Sequence, residues 1–330
     1  MFMMHSALSD VAKIAVHVLD DVTGEPVEGV NVVANFKMDN GILAWKGNAF
    51  PDIHRIVTDK NGNGSAVGRT NVGQAGCYLQ YPPPTGYYMP RRGSGYTFTS
   101  KNIFGVWQPE DLVVTVRLQR VECPIPLMVK QVEGHGEDIF EKCGGRIAFD
   151  FLKGDWLPPI GDGEVADAVF TRLPHEELGE GENLGRKGRS YRDSMTVEFP
   201  GEGNGLIEIA TKDTDGIKIR TAPTGGYQHG RIFWYGRDSR LKLETSYDEN
   251  RCFCFKIRTK MDQSGEITEA LYGKIYGDIK FCGKSYGASY VPVAAVQMRY
   301  YLNPTPLDRN LEWNMHNLCK TPGDLHNPER

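Results

Sequence analysis

Residues 13–36 read KIAVHVLDDVTGEPVEGVNVVANF, two runs rich in β-branched residues on either side of a cluster of turn formers. In the first run Ile14, Val16 and Val18 alternate with Ala15, His17 and Leu19, the period of two that marks a strand packed mainly on one face. Asp21 to Pro26 reverses the chain, and Val27 to Phe36 resumes an extended, β-branched stretch. The unit is strand, turn, strand.

The same grammar continues outward. Thr58-Asp59-Lys60-Asn61-Gly62-Asn63-Gly64 supplies Asn-Gly twice, giving the positive φ angles of a tight reversal. GCYLQYPPPTGYYMP around Cys77 reads as a strand entering a proline-limited loop, and Glu110 to Arg120 alternates Val113, Thr115 and Arg117 with Leu112, Val114, Val116 and Leu118. With 38 Gly, 19 Pro and 15 Tyr, the composition favours many short strands over long helices, so the expected class is all-β. At 330 residues two domains are expected. A net charge of -4 with dispersed Lys and Arg disfavours nucleic acid, and no run approaches the roughly 18 to 20 apolar residues of a membrane span.

The order of an opening V-x-V strand, D-x-x-T-G-x-P-V-x-G-V-x-V, a central T-D-x-N-G-x-G turn and a closing V-x-V-x-L strand resembles the carboxypeptidase regulatory-like family. Its carriers here are Val16, Val18, Thr23, Gly24, Pro26, Val27, Gly29, Val30, Val32, Thr58, Asp59, Asn61, Gly62 and Gly64. The resemblance implies a seven-stranded, transthyretin-like sandwich over the first third of the chain, an accessory module of secreted or surface proteins without catalysis of its own. Two stretches depart from the family, the insertion Lys37 to Arg55 and the aromatic-rich loop Tyr81 to Phe98. Asp59-x-Asn61-x-Asn63-Gly64 also matches half of a calcium loop, but Thr70 stands where the closing Glu is needed, and a hairpin turn is the better reading.

The expected organisation is therefore a sandwich over residues 1–122, a linker over 123–144 stiffened by Pro124 and Pro126, and a larger antiparallel sandwich or jelly roll over 145–330. A short helix is expected within His135 to Cys143. Leu178 to Gly188 reads as a mobile, glycine-rich loop, and the tail around Leu307, Leu311, Met315 and Leu318 as either a helix or an extended arm.

No G-x-S-x-G, phosphate-binding G-x-x-x-x-G-K-[ST] or H-E-x-x-H motif occurs. His175-Glu176-Glu177 lacks a second ligand at helical spacing, and pairs such as Asp162 and Glu164 do not by themselves make a glycosidase. No cofactor and no catalytic residue is expected. In the segment 227–237, Tyr227, Arg231, Trp234, Tyr235 and Arg237 interleave aromatic and guanidinium groups, a composition suited to a sugar ring or a protein partner, though strand alternation would make it ordinary packing, the stronger of the two readings. Trp45, Trp107 and Trp156 carry the same ambiguity. Seven cysteines are expected to be free or buried thiols, with Cys252 and Cys254 on one face of a strand, unless export allows one or two long-range disulfides. Met1 to His5 shows no secretory leader, whereas the family resemblance implies a cell-surface, extracellular or periplasmic place. The functions to separate are a binding module for a glycan or protein partner, a subunit assembling with copies of itself into a filament, surface layer or particle, and a carbohydrate-active hydrolase.

Overall fold

A computed structural model describes residues 10–38, 51–80, 82–88, 94–132, 139–183, 185–209, 219–248, 251–286 and 289–320. Among these the secondary structure is all-β apart from one helical turn. The chain divides into two compact units, Met1–Glu122 and Cys123–His326.

In the first unit β1 (Val11–Asp20) alternates half-buried and buried along its whole length, as its apolar period requires. It lies between β4 (Asn63–Arg69), antiparallel, and β9 (Leu112–Leu118), parallel. The facing sheet has the order β3-β2-β5-β6, built from β2 (Asn31–Phe36), β3 (Asp52–Val57), β5 (Gln74–Leu79) and β6 (Ser94–Thr97). Ile14, Val16 and Val18 pack against Val32, Ala34, Phe36 and Leu79 between the sheets. Gly68 is obligatory there, because a Cβ would stand 2.1 Å from the Phe36 ring. A small hairpin, β7 (Ser100–Lys101) and β8 (Trp107–Gln108), completes the unit.

The half calcium motif is a hairpin turn. Asp59 Oδ1 accepts from the Asn61 and Asn63 amides at 2.9 Å, and Gly62 takes a φ of 70°. Thr58 before it stitches the loop ahead of β2, its Oγ1 donating to the Val27 carbonyl and accepting from the Val30 amide.

The second unit begins earlier than the sequence implied. Residues read as a linker include β10 (Ile125–Val132), which lies inside a sheet, antiparallel to β22 (Ser289–Asn303) and parallel to β23 (Trp313–Asn317). Pro126 is tolerated because it falls at the register shift between Ile125 and Leu127, where the ladder needs no amide. The single helical turn α1 (Ile139–Lys142) meets the expectation of a short helix; 133–138 lie outside the described residues.

The sheet containing β10 runs β16-β19-β20-β22-β10-β23, with β16 (Gly205–Ile209), β19 (Cys252–Met261) and β20 (Ile267–Ile275), while β21 (Lys280–Tyr286) pairs β22. The second sheet runs β12-β11-β13-β15-β17-β18, from β11 (Arg146–Asp150), β12 (Asp155–Trp156), β13 (Ala168–Arg172), β15 (Arg186–Glu198), β17 (Gly230–Arg237) and β18 (Leu243–Thr245). An aromatic core fills the space between them: Phe151 stacks on Phe255 at 4.4 Å and meets Tyr300 edge-on at 4.9 Å. Gly273 makes room for this, since a Cβ there would reach within 2.1 Å of the Phe255 ring. Cys252 and Cys254 share the opposite face of β19, which Ile219, Ala222 and Leu311 cover, so the run CFCFKI is buried on both sides.

Two further expectations change. The Leu178 to Gly188 loop is a hairpin: β14 (Glu176–Asn183) pairs with β15, setting Glu176 opposite Arg192, Glu180 opposite Arg189 and Glu182 opposite Lys187. Opposite charges across the ladder supply what apolar residues do elsewhere. The tail is an arm rather than a helix, with β23 laid beside β10 and Leu307 and Met315 at positive φ. The last residues, 321–330, lie outside the described part, as do Trp45 and most of Gly216 to Ile219.

Candidate functional site

Described residues from the two stretches that depart from the family resemblance border one groove. On the outer face of the β3-β2-β5-β6 sheet, Asn35 is opposite Gly76 and Gly76 is opposite Gly95. Inward-facing Ala34, Phe36, Ala75 and Cys77 hold these strands to the core, while two adjoining glycines leave the outer surface without side chains. The resulting groove has a volume of about 720 Å³. Gln74, Thr97 and Tyr78 line it along the strands, and Met38 and Pro51 from the insertion close its side. Lys37 contributes the single charged side chain among the described lining residues, and its Nζ donates to Gln74 Oε1 at 3.1 Å.

A second surface feature of this unit is the tip of the β7–β8 hairpin. Asn102 Oδ1 accepts from the Phe104 amide at 2.9 Å and the Val106 amide at 3.0 Å, and Gly105 takes a φ of 78°. The turn is fixed from below: Trp107 Nε1 donates to the Thr70 carbonyl at 2.7 Å, and its ring packs on Gly73, where a Cβ would come within 2.6 Å. Ile103 and Phe104 are thereby held into solvent at 93% and 76% exposure. Single exposed apolar residues are ordinary on a protein surface, but two adjacent ones on a locked turn form a preorganised apolar knob.

The five residues expected to bind a ligand do not form one face. Tyr235 is buried in the core of the second unit, edge-on to Phe281 at 5.2 Å, and Phe233 is buried two residues before it. Trp234 points to the opposite side of the sheet, where the Arg192 guanidinium lies 4.7 Å from its ring. Arg231 pairs with Glu208 at 2.6 Å and covers the Phe253 ring, whereas Arg237 is exposed. Tyr227 belongs to the cover over β19, donating to the Pro223 carbonyl at 2.9 Å beneath the Lys256 ammonium. Trp156 is core and Trp107 is half-buried, as packing residues.

The titratable clusters of the second unit are built for structure. Arg258, at a φ of 54° on the irregular end of β19, donates from Nη2 to Asp150 at 2.6 Å and to Asp167 at 2.9 Å, with Nε on Asp167 as well. Burial opposes ionisation of Asp150, but the Lys153, Val165 and Glu164 amides with Arg258 outweigh it and hold the carboxyl below its usual range. At Asp167 burial wins and raises the value despite Arg258. His175 Nδ1 is 2.9 Å from Oδ1 of the buried Asp193 and opens no metal centre; among the described residues no group of three His, Cys, Asp or Glu is gathered. The six described thiols are free, and burial pushes Cys77 up to about 11 and Cys254 up to about 12, which removes nucleophilic character. Among the described residues no helix is long and apolar enough to cross a membrane.

No family model matches the chain, and no curated protein matches it. Among solved structures it is similar to the minor pilin of Streptococcus agalactiae, with 16% identity over 36% of this chain and a TM-score of 0.25. That match takes in 48% of the pilin, so this chain spans about half its length. The shaft pilin SpaA of Lactobacillus rhamnosus GG matches with 12% identity over 91% of this chain and 94% of its own, TM-score 0.24. A DUF3823 family protein of Parabacteroides merdae matches with 6% identity over 88% and 96%, TM-score 0.22.

Proposed function

We propose that the protein is a non-catalytic structural subunit, a pair of β-sandwich units that works by contact with protein surfaces and first of all with copies of itself. The observation that carries this reading is the rigid display of Ile103 and Phe104 on the Asn102 turn. A hairpin anchored through Trp107 and ending in two solvated hydrophobes costs solubility in a monomer and gains it back in an assembly. The buried, high-pKa thiols and the fully bonded Asp150 and Asp167 carboxylates support a structural role over a catalytic one. The likeness of the first unit to carboxypeptidase regulatory-like modules supports a place at the cell surface or outside the cell, and fractionation that recovers the protein only from cytosol would remove that part.

Light scattering over a concentration series tests the reading. The full chain is expected to gain mass with concentration, and Ile103→Ser with Phe104→Ser to remain monomeric with an unchanged circular dichroism spectrum. A strict monomer at every concentration contradicts it.

A further inference from the structure

We propose that the Ile103–Phe104 knob of one copy seats in the Gly76–Gly95 groove of a second copy, so that copies join head to tail. This rests on the self-association reading above and adds the receiving surface to it.

Four observations converge on this pairing. The first is capacity. A cavity of roughly 150 Å³ suffices for one benzene-sized group, so about 300 Å³ serves an isoleucine and a phenylalanine side chain. The groove offers about 720 Å³, enough for both side chains and the turn that carries them.

The second is electrostatic. Residues 102–106 carry no charge, and among the described lining residues of the groove only Lys37 does, with its ammonium already bonded to Gln74. Lys37 is thus the one described charge that docking would have to strip of water, the step that makes charged interfaces costly, and its bond to the Gln74 amide offsets part of that. Tyr78 and Met38 instead offer the aromatic and thioether surfaces that protein interfaces favour.

The third is preorganisation. Asn102 and Gly105 fix the knob before contact, and the glycine floor sits on paired strands, so little freedom is lost on docking.

The fourth is placement. The knob is on the β7–β8 hairpin and the groove is on the outer face of a different sheet, so the contact joins unlike surfaces. Each copy that donates a knob keeps a free groove, and each that accepts one keeps a free knob; unless the rotation closes a ring, such a contact propagates.

Two variants of the full chain test this. Phe104→Ser with Ile103→Ser removes the knob and leaves the groove. Gly95→Leu plugs the groove and leaves the knob, and a Cβ at Gly95 meets nothing within 4 Å, so the fold accommodates it. By sedimentation velocity each variant alone is expected to be monomeric where the unaltered chain assembles, a weakening of roughly tenfold or more. An equimolar mixture is expected to form heterodimers that grow no further, because one intact knob meets one intact groove. Assembly by Gly95→Leu alone at the unaltered concentration overturns the groove as receiver while leaving self-association standing. Absence of heterodimers in the mixture overturns the pairing, and a chain that never assembles overturns both.

Discussion

Asp20 and Asp278 give the two units opposite responses to pH. Asp20 is buried; burial disfavours its charge, but the Thr23 and Val22 amides, Arg120 and Tyr87 hold the carboxyl well below its ordinary 3.8. A depressed folded value contributes stability that is present above 3.8 and lost as acid titrates the folded form. At Asp278 burial dominates and lifts the value to about 6, against the Asp248 and Ile279 amides, Arg251 and Arg231. A raised value contributes fully below 3.8 and is lost as pH rises to about 6. Denaturant titrations along a pH series should show the second unit weakening over that window by about 3 kcal/mol at most, at about 1.4 per pH unit. Asp278→Asn should flatten this slope to the part that Asp167, also raised by burial, contributes, and a slope unchanged by it excludes the assignment. Arg258→Leu leaves two buried carboxylates without their shared cation and is expected to cost about 3 to 5 kcal/mol. A loss under 1 kcal/mol would show that the Asp150 and Asp167 amide bonds suffice alone.

At the scale of elements, the β14–β15 hairpin is closed by charge. Arg189 bonds Glu177 at 2.6 Å, and each exposed pair contributes only about 0.2 to 1 kcal/mol, so the hairpin depends on several acting together. Glu180→Lys with Glu182→Lys should therefore release amide protection across Glu176–Asn183 in hydrogen exchange while the melting of the aromatic core stays put. Retained protection would assign closure to Leu241, which packs on Gly181 and Gly188. This hairpin also shows where sequence reading stops. β1 and β9 announced themselves because apolar alternation is local, and the Asn-Gly turn carried its own geometry. β14 did not, because glycines and charges read as loop until the register puts Glu opposite Arg. β10 was hidden behind prolines that a bulge excuses, and the groove depends on Gly76 meeting Gly95 across strands, a pairing no local pattern encodes. For Tyr227 to Arg237 the composition was legible but not the placement: β17 sends its side chains to opposite faces and Tyr227 lies outside it.

On the scale of the molecule, two all-β units each close a core of their own, one aliphatic and one aromatic. The surfaces left over on the first unit are an apolar knob and a nearly neutral groove. A chain carrying both is suited to join copies of itself. The most direct test introduces Ile103→Cys and Gly95→Cys together into a Cys123→Ser background, which removes the one thiol that is exposed among the described residues. Mild oxidation should produce a ladder of covalent oligomers on non-reducing gels from the double-cysteine chain, and dimers at most from either single. Monomer alone, or a ladder of the same strength without the introduced cysteines, would contradict the account.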